Sequence, residues 1–264
     1  MNEKIKNEIP AERRARILEF LKGKGIVRVD ELSESLHVSV ITIRRDLTIL
    51  EDEGLLERTH GGAISTSLQI HEPSFFDKDK RNIPLKMSIA RKAASLVGER
   101  ETVLVNSGST TALVLKELMQ KKNLTIITNN IGALTSMEIV SDCELIVTGG
   151  TLRAGTSCLV GEEVLNRLDR VHPTTSIIGI DGFSFKMGLT SHNTHEAAVS
   201  RKMINQTTRG KVIVVADSSK LGNLSQHNVG TMADIDILIT DALPDLSVVN
   251  DFENAGIILI TTNG

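Results

Sequence analysis

The sequence contains no tryptophan and no tyrosine, and only six phenylalanines among 264 residues. Proteins that grip RNA or single strands stack bases on aromatic side chains. Their scarcity favours duplex DNA over RNA or single strands. Cysteine is scarce: Cys143 and Cys158 have no metal-ligand spacing and make no disulfide framework. A reducing, cytoplasmic setting fits, and neither metal nor cofactor is expected. No apolar run approaches the roughly 20 residues of a membrane span, and an apolar signal segment is missing at the N-terminus. Charge of one sign is missing too. The net charge is −3, and residues 1–66 hold 11 Lys and Arg against 12 Asp and Glu. Any attraction to DNA would have to come from local clusters, with Arg13, Arg14, Arg44, Arg45 and Arg58 as candidates. Each phosphate neutralised would contribute roughly −0.9 to the salt slope.

What is present divides by periodicity, and the length suits two domains. Ala11–Lys24 carries Ala15, Ile17, Leu18 and Leu21 at helical spacing, closed by Gly25. Val29–Leu36 predicts a second short helix capped by Asp30. After a tight turn at His37-Val38, Ser39 is a suitable N-cap for a third helix. In it Ile43, Leu47 and Leu50, joined by Val40, face a core, and Gly54 ends it. The opposite face shows Thr42, Arg44, Arg45 and Thr48, groups suited to base edges and phosphates. Leu55–Thr59 and the turn His60-Gly61-Gly62-Ala63 read as a two-stranded wing, with Arg58 and His60 as donors. Paired arginines on a helix are often only a solvated face. The short preceding helix, Ser39, Thr42 and the Gly61-Gly62 turn together favour DNA.

Residues 67–84 read as a linker containing Pro73, with a short helix near Phe75-Phe76 that docks on something. Pro84 suits the start of a helix whose face is Ile89, Ala93, Leu96 and Val97. From Thr102 onward β-branched runs alternate with helical stretches. They are Thr102–Val105, Leu124–Thr128, Glu144–Thr148, Ser176–Ile180, Lys211–Ala216, Ile235–Thr240 and Ile257–Thr261. Continuous apolar strands imply a mostly parallel sheet covered on both faces, with a ligand at the strands' carboxyl ends. Three such ends carry polar groups. Ser107, Gly108, Ser109, Thr110 and Thr111 precede a helix over Ala112–Met119 and could cradle a small phosphate, or simply cap that helix. Asn129 with Gly149 and Gly150 could approach a ligand, or serve only as turns. Asp181, Glu196 and Lys220 follow later strands.

Residues 11–64 resemble the winged helix-turn-helix of the DeoR family of bacterial transcriptional regulators. The resemblance rests on Glu12-Arg13-Arg14, Val38-Ser39-Val40-Ile41-Thr42-Ile43-Arg44-Arg45-Asp46-Leu47 and His60-Gly61-Gly62-Ala63. Residues 85–264 resemble that family's sensor domain, through Ser107-Gly108-Ser109-Thr110, Gly179-Ile180-Asp181, Glu196 and Asp217-Ser218-Ser219-Lys220. That domain is similar in fold to ribose-phosphate isomerase. The resemblance implies that the helix from Ser39 reads the major groove. It also implies a phosphorylated sugar as effector, its phosphate on the 107–111 loop and Lys220 and its sugar on Asp181. Asn106 stands where many members carry Asp. The isomerase pattern Gly-Ala-Asp-Glu-Ile-Asp is replaced here by Gly179-Ile180-Asp181-Gly182-Phe183-Ser184, without the second and third acids.

The expected molecule is an α/β protein: a winged helix-turn-helix over 1–66, a linker over 67–84 and a sugar-phosphate-sensing domain over 85–264. It would be a regulator, most simply a repressor of a carbohydrate operon. It would not be an enzyme, and it would self-associate on operator DNA. The alternative is a sugar-phosphate isomerase with an accessory DNA-binding domain.

Overall fold

Apolar spacing in the first quarter of the chain closes a small core of its own. The computed structural model describes residues 9–24, 26–59, 61–65, 74–135, 142–242 and 246–262. The first unit contains α1 (Pro10–Lys24), β1 (Ile26–Arg28), α2 (Val29–Leu36), α3 (Val40–Asp52), β2 (Leu56–Thr59) and β3 (Gly62–Ser65). Its centre is Ile17, Leu21, Leu32, Leu36, Ile43, Leu47 and Leu50, with Val40 packed at the margin. Burying side chains of this size stabilises by about 1.5–3 kcal/mol each. His37 is left-handed at φ 53° and turns α2 into α3. Ser39 caps α3, its hydroxyl accepting from Thr42 N at 3.2 Å. Gly54 follows the helix at φ 72°, the left-handed position glycine favours.

Two expectations need correction here. Asp30 does not cap α2; the N-cap is Arg28, and Asp30 lies in the first turn, where its charge complements the helix dipole. The wing belongs to a three-stranded antiparallel sheet, ordered β1-β3-β2. The added strand, three residues long, is too short to show alternation in sequence.

The second unit begins with α4 (Phe75–Asp79) and α5 (Ile83–Ser95), the latter with Pro84 in its first turn. There follow β4 (Thr102–Val105), α6 (Ser109–Leu118), β5 (Thr125–Thr128), α7 (Ile131–Leu134), β6 (Glu144–Val147), β7 (Thr151–Arg153), β8 (Cys158–Val160) and α8 (Glu162–Leu168). Then come β9 (Thr175–Gly179), β10 (Gly182–Ser184), β11 (Gly188–Ser191), α9 (Thr194–Gln206), β12 (Lys211–Val215), β13 (His227–Gly230), β14 (Ile237–Thr240), α10 (Leu246–Asn254) and β15 (Ile258–Thr261). All seven strands read from sequence pair in one sheet, ordered β15-β14-β12-β9-β4-β5-β6. Every pairing is parallel.

Alternate residues on these strands feed two cores. Val103, Val105, Ile177 and Ile213 pack with α5 and α6, while Leu104, Ile178, Val212 and Val214 pack with α8 and α9. Strand order reverses between β4 and β9. A parallel sheet leaves a crevice at such a point, outside the carboxyl ends of the strands.

Phe75 fixes α4 beside this crevice. Its ring lies over Gly132, where an added Cβ would come within 2.6 Å of it, and its N–H donates to Gly155 O at 2.8 Å. Phe76, expected to dock as well, is 62% exposed.

In the first unit one ion pair ties α1 to α3. Arg13 Nε donates to Asp46 Oδ2 at 2.6 Å and Nη2 to Oδ1 at 3.2 Å, and both residues are buried. Asp46→Ala strands a buried guanidinium, with an expected loss of about 3–5 kcal/mol. With no Trp or Tyr as reporter, hydrogen exchange is the measurement. Protection should fall over α1 and α3 and stay unchanged in β4 and β9. Unaltered protection in α3 would remove the pair from its assigned role.

Candidate functional site

The outer face of α3 is half committed to the fold and half open. Arg44 and Arg45 are exposed. The Thr42 hydroxyl lies 2.9 Å from Ser39 Oγ, at the capped first turn. Thr48 Oγ1 donates to Arg44 O at 2.9 Å and accepts from Arg58 Nη1 at 2.8 Å. Arg58 N donates to Glu51 Oε1 at 3.0 Å. Thr48 and Arg58 therefore splice the wing to α3, which is different work from the free donors expected of them.

Gly62 is buried, and an added Cβ would lie 2.0 Å from Val27 O. The lack of a side chain here lets β1 approach. Gly61 O accepts from Val29 N at 2.9 Å. His60 lies outside the described residues. Arg13 leaves the cationic cluster, since it is buried on Asp46 with Arg14 3.8 Å from the same carboxylate.

The crevice between β4 and β9 opens into a cavity of about 320 Å³. Ser107, Gly108, Ser109, Thr110, Thr111, Asp181 and Lys220 line it. Ser109, Thr110 and Thr111 form the first turn of α6 and are not part of a preceding loop. Gly108 holds the N-cap position at φ 147°, and no side chain caps the helix. First-turn N–H groups have no acceptor within a helix, so these face the cavity as anion donors with the dipole behind them. Lys86 Nζ donates to Ser109 Oγ at 2.9 Å and also to Lys78 O. Burial pulls the Lys86 ammonium down to about 8, against the raising influence of Asp217.

On Asp181 converge Lys78 Nζ at 2.6 Å, Ser191 Oγ at 3.1 Å and His192 N at 3.2 Å. Burial alone would raise this carboxyl; the charge and hydrogen bond of Lys78 outweigh it and hold the group at about 2. Asp217 accepts from Asn82 Nδ2 at 3.4 Å. Glu196 is held by Arg153 at 3.1 Å and by the Thr156 hydroxyl at 2.5 Å. Cys158 is buried, and burial, helped by Glu196, pushes its thiol up to about 12. It is packed and unreactive.

The chain thus joins a helix-turn-helix with an open arginine face to a parallel sheet with an anion-suited cavity. A family model described as the DeoR C terminal sensor domain matches residues 81–242, and one described as the DeoR-like helix-turn-helix domain matches residues 13–69. The chain belongs to the DeoR family of transcriptional regulators. Relatives match along almost its whole length. The HTH-type transcriptional regulator GolR of Listeria innocua is 32% identical over 94% of this chain and 97% of its own. The HTH-type transcriptional regulator GlpR of Haloferax volcanii is 33% identical, with 96% and 98% covered. The glycerol-3-phosphate regulon repressor of Escherichia coli is 33% identical, with 88% and 91% covered. Among solved structures, ribose 5-phosphate isomerase A of Methanocaldococcus jannaschii aligns with a TM-score of 0.37 at 19% identity, over 53% of this chain and 55% of its own.

In this DeoR-family chain three expected ligand residues lie away from the cavity. Asn129 is fully buried, its Nδ2 donating to Leu159 O at 2.8 Å and its backbone carbonyl accepting from Leu159 N at 2.9 Å. It is a clasp between β5 and β8. Gly149 and Gly150, at φ 77° and 111°, turn the chain from β6 into β7, and a Cβ on Gly150 would meet Val164 at 2.7 Å. The turn reading, left open from sequence, describes Gly149 and Gly150, while Asn129 joins two strands.

Residues the sequence reading missed are Lys78, Arg81, Asn82 and Lys86, all lining the cavity from α4, α5 and the turn between them. Residues 77–81 are polar throughout, which in one dimension is indistinguishable from a solvated tether. The signal available was Phe75-Phe76, too apolar for one.

The Lys86 shift has a sign that can be checked. Between pH 8 and 10.5 the folded protein has released this proton while the unfolded chain retains it. The unfolded state then binds more protons, so this group's contribution to stability rises with pH across that window. Lys86→Met should remove that rise, on the order of 3 kcal/mol in total, in denaturant titrations followed by circular dichroism. Parallel pH profiles for the two proteins would place the shift elsewhere.

Proposed function

We propose that this regulator is a repressor whose hold on operator DNA is released by a phosphorylated sugar bound in the sensor cavity. The carrying observation is the cavity's division of labour. The uncapped N-terminus of α6, with Lys86 against Ser109, suits a phosphate. Asp181, with its several donors, suits sugar hydroxyls. The name of the E. coli relative, a glycerol-3-phosphate regulon repressor, agrees with a small phosphorylated effector.

Lys78 supplies the route to the DNA-binding part. A hydroxyl donating to Asp181 competes with Lys78, and Lys78 rides on α4, a helix of five residues at the end of the segment joining the two units. A 100-fold loss of operator affinity requires about 2.7 kcal/mol of coupling, within reach of rearranging one partly buried charge pair. Self-association belongs to the same reading, because paired recognition helices on paired half-sites multiply affinity.

The isomerase reading has less support. It needs a second acid beside Asp181. At Gly182 an added Cβ would lie 2.3 Å from Asn223 O, so no carboxylate fits. Ser184 Oγ accepts from the N–H groups of Lys186 and Met187 at 3.3 and 3.4 Å. Glu196 is already held by Arg153 and Thr156.

The test uses full-length protein and DNA selected from a random duplex library. A panel of phosphorylated sugars and their unphosphorylated counterparts is added to the complex. At least one phosphorylated member should lower affinity by tens-fold or more, and Lys220→Ala should blunt the response without changing affinity for DNA alone. Release by unphosphorylated sugars only, or steady turnover of a sugar phosphate, would overturn the reading.

On the DNA side, Arg45→Ala should cost about 1–3 kcal/mol and relax discrimination at one position if it meets a guanine edge. Full affinity in both Arg44→Ala and Arg45→Ala proteins would dismiss α3 as the reading helix.

A further inference from the structure

The open face of α3 carries an apolar side chain for which the fold has no use. Ile41 is 80% exposed, the highest value among the large hydrophobic side chains of the described residues. It is not a core residue left at the margin. Ile43, fully buried, lies two positions on, about 200° around the helix, so Ile41 points away from the core. Its neighbours on the face are Arg44, Arg45 and Thr48, at i+3, i+4 and i+7, which makes one continuous stripe.

Nothing local recommends isoleucine there. A β-branched residue is a slightly poorer helix former than alanine or arginine, and the methyls stand in water. The position is in the first turn, two residues after the Ser39 cap. That is the end of a recognition helix whose side chains reach base edges. The guanidiniums of Arg44 and Arg45 on the same stripe fix the sign of the partner as anionic. The major groove of duplex DNA presents one apolar group at the base edges, the C5-methyl of thymine. An exposed aliphatic side chain flanked by cations complements that pattern.

We infer that Ile41 determines sequence specificity by packing on a thymine methyl in the operator's major groove. The inference rests on the duplex-DNA reading above. It assigns Ile41 a role in discrimination, whereas Arg44 and Arg45 also supply charge.

Deoxyuridine removes the methyl and leaves every hydrogen-bonding group of thymine in place. In the selected operator, each thymine is replaced in turn by deoxyuridine, and binding of the natural protein is compared with that of Ile41→Ala. The expected result is one thymine per half-site at which the replacement weakens the natural protein about fourfold. The Ile41→Ala protein should be insensitive at that base and unchanged in its response at all others. Its salt slope should equal that of the natural protein, because no phosphate contact is lost. Circular dichroism melts of the two should coincide, since the side chain is outside the core. Equal deoxyuridine sensitivity in both proteins, or a uniform loss of affinity for all sequences in Ile41→Ala, would overturn the inference and leave DNA binding standing. Failure of the natural protein to select any motif would remove the DNA reading and Ile41's role with it.

Discussion

Parallel pairing is the constraint on which the sensor part depends. Parallel strands must be joined by crossovers, so all seven place their carboxyl ends along one rim. The chain first builds outward from β4 through β5 to β6, then returns to the other side of β4 to add β9, β12, β14 and β15. The crossovers leaving β4 and β9 therefore go opposite ways, and no helix can close the gap between them. Asn106 bridges that gap lower down, accepting from Gly179 N at 2.8 Å and donating to Gly179 O at 2.9 Å. It also donates to Ser200 on α9 at 2.9 Å. A carboxylate could accept there but could not donate to the Gly179 carbonyl. The amide thus makes Asn106 a strut in the cavity floor.

Most of the architecture was legible because it follows from periodicities that sequence displays. Ile43, Leu47 and Leu50 mark a buried helical stripe, and β-branched runs such as Ser176-Ile177-Ile178 mark strands covered on both faces. What escaped were structures too short to have a period. The strands β1, β7, β8 and β10 have three residues each, and a residue or two of alternation is no pattern. The site was legible where its residues sit at strand ends, as Ser107 to Thr111 and Asp181 do. It was illegible where α4 and α5 fold back over the rim, because Lys78 and Lys86 reach the cavity through tertiary packing, α4 by Phe75 on Gly132 and α5 by its apolar face on α6. The misplaced residues share a cause. Asn129 and Gly150 lie at the ends of neighbouring strands, but β8 pairs in beside them and closes their side of the rim.

The same tertiary contact changes what the joining segment can do. A free tether carries no information between two folded units. Under the proposed reading α4 has two arrangements, differing by the Lys78–Asp181 contact that a bound sugar would alter. In that reading Phe75 supplies a contact that no ligand hydroxyl competes for, and Lys78 supplies one that a hydroxyl would. The division is useful, because a helix held only by Lys78 would be loose at all times, and one held only by Phe75 would ignore the cavity.

Charge accounting narrows what can exploit that arrangement under the proposed reading. Asp181 is held as a carboxylate by Lys78, with its charge secured far below neutral pH. A neutral sugar must displace an ammonium using hydroxyls alone, which loses a charge-assisted bond of the stronger kind. Inorganic phosphate would meet Lys86 and the α6 N-terminus but brings no hydroxyl arm to exchange with Lys78 on Asp181. A molecule carrying an anion at one end and hydroxyls at the other would gain at α6 what offsets its unfavourable exchange at Asp181. Binding strength would then come from the phosphate and the signal from the hydroxyls. Sugars sharing a phosphate but differing in the hydroxyl geometry presented to Asp181 would occupy the cavity with similar affinity yet differ in how far they free α4.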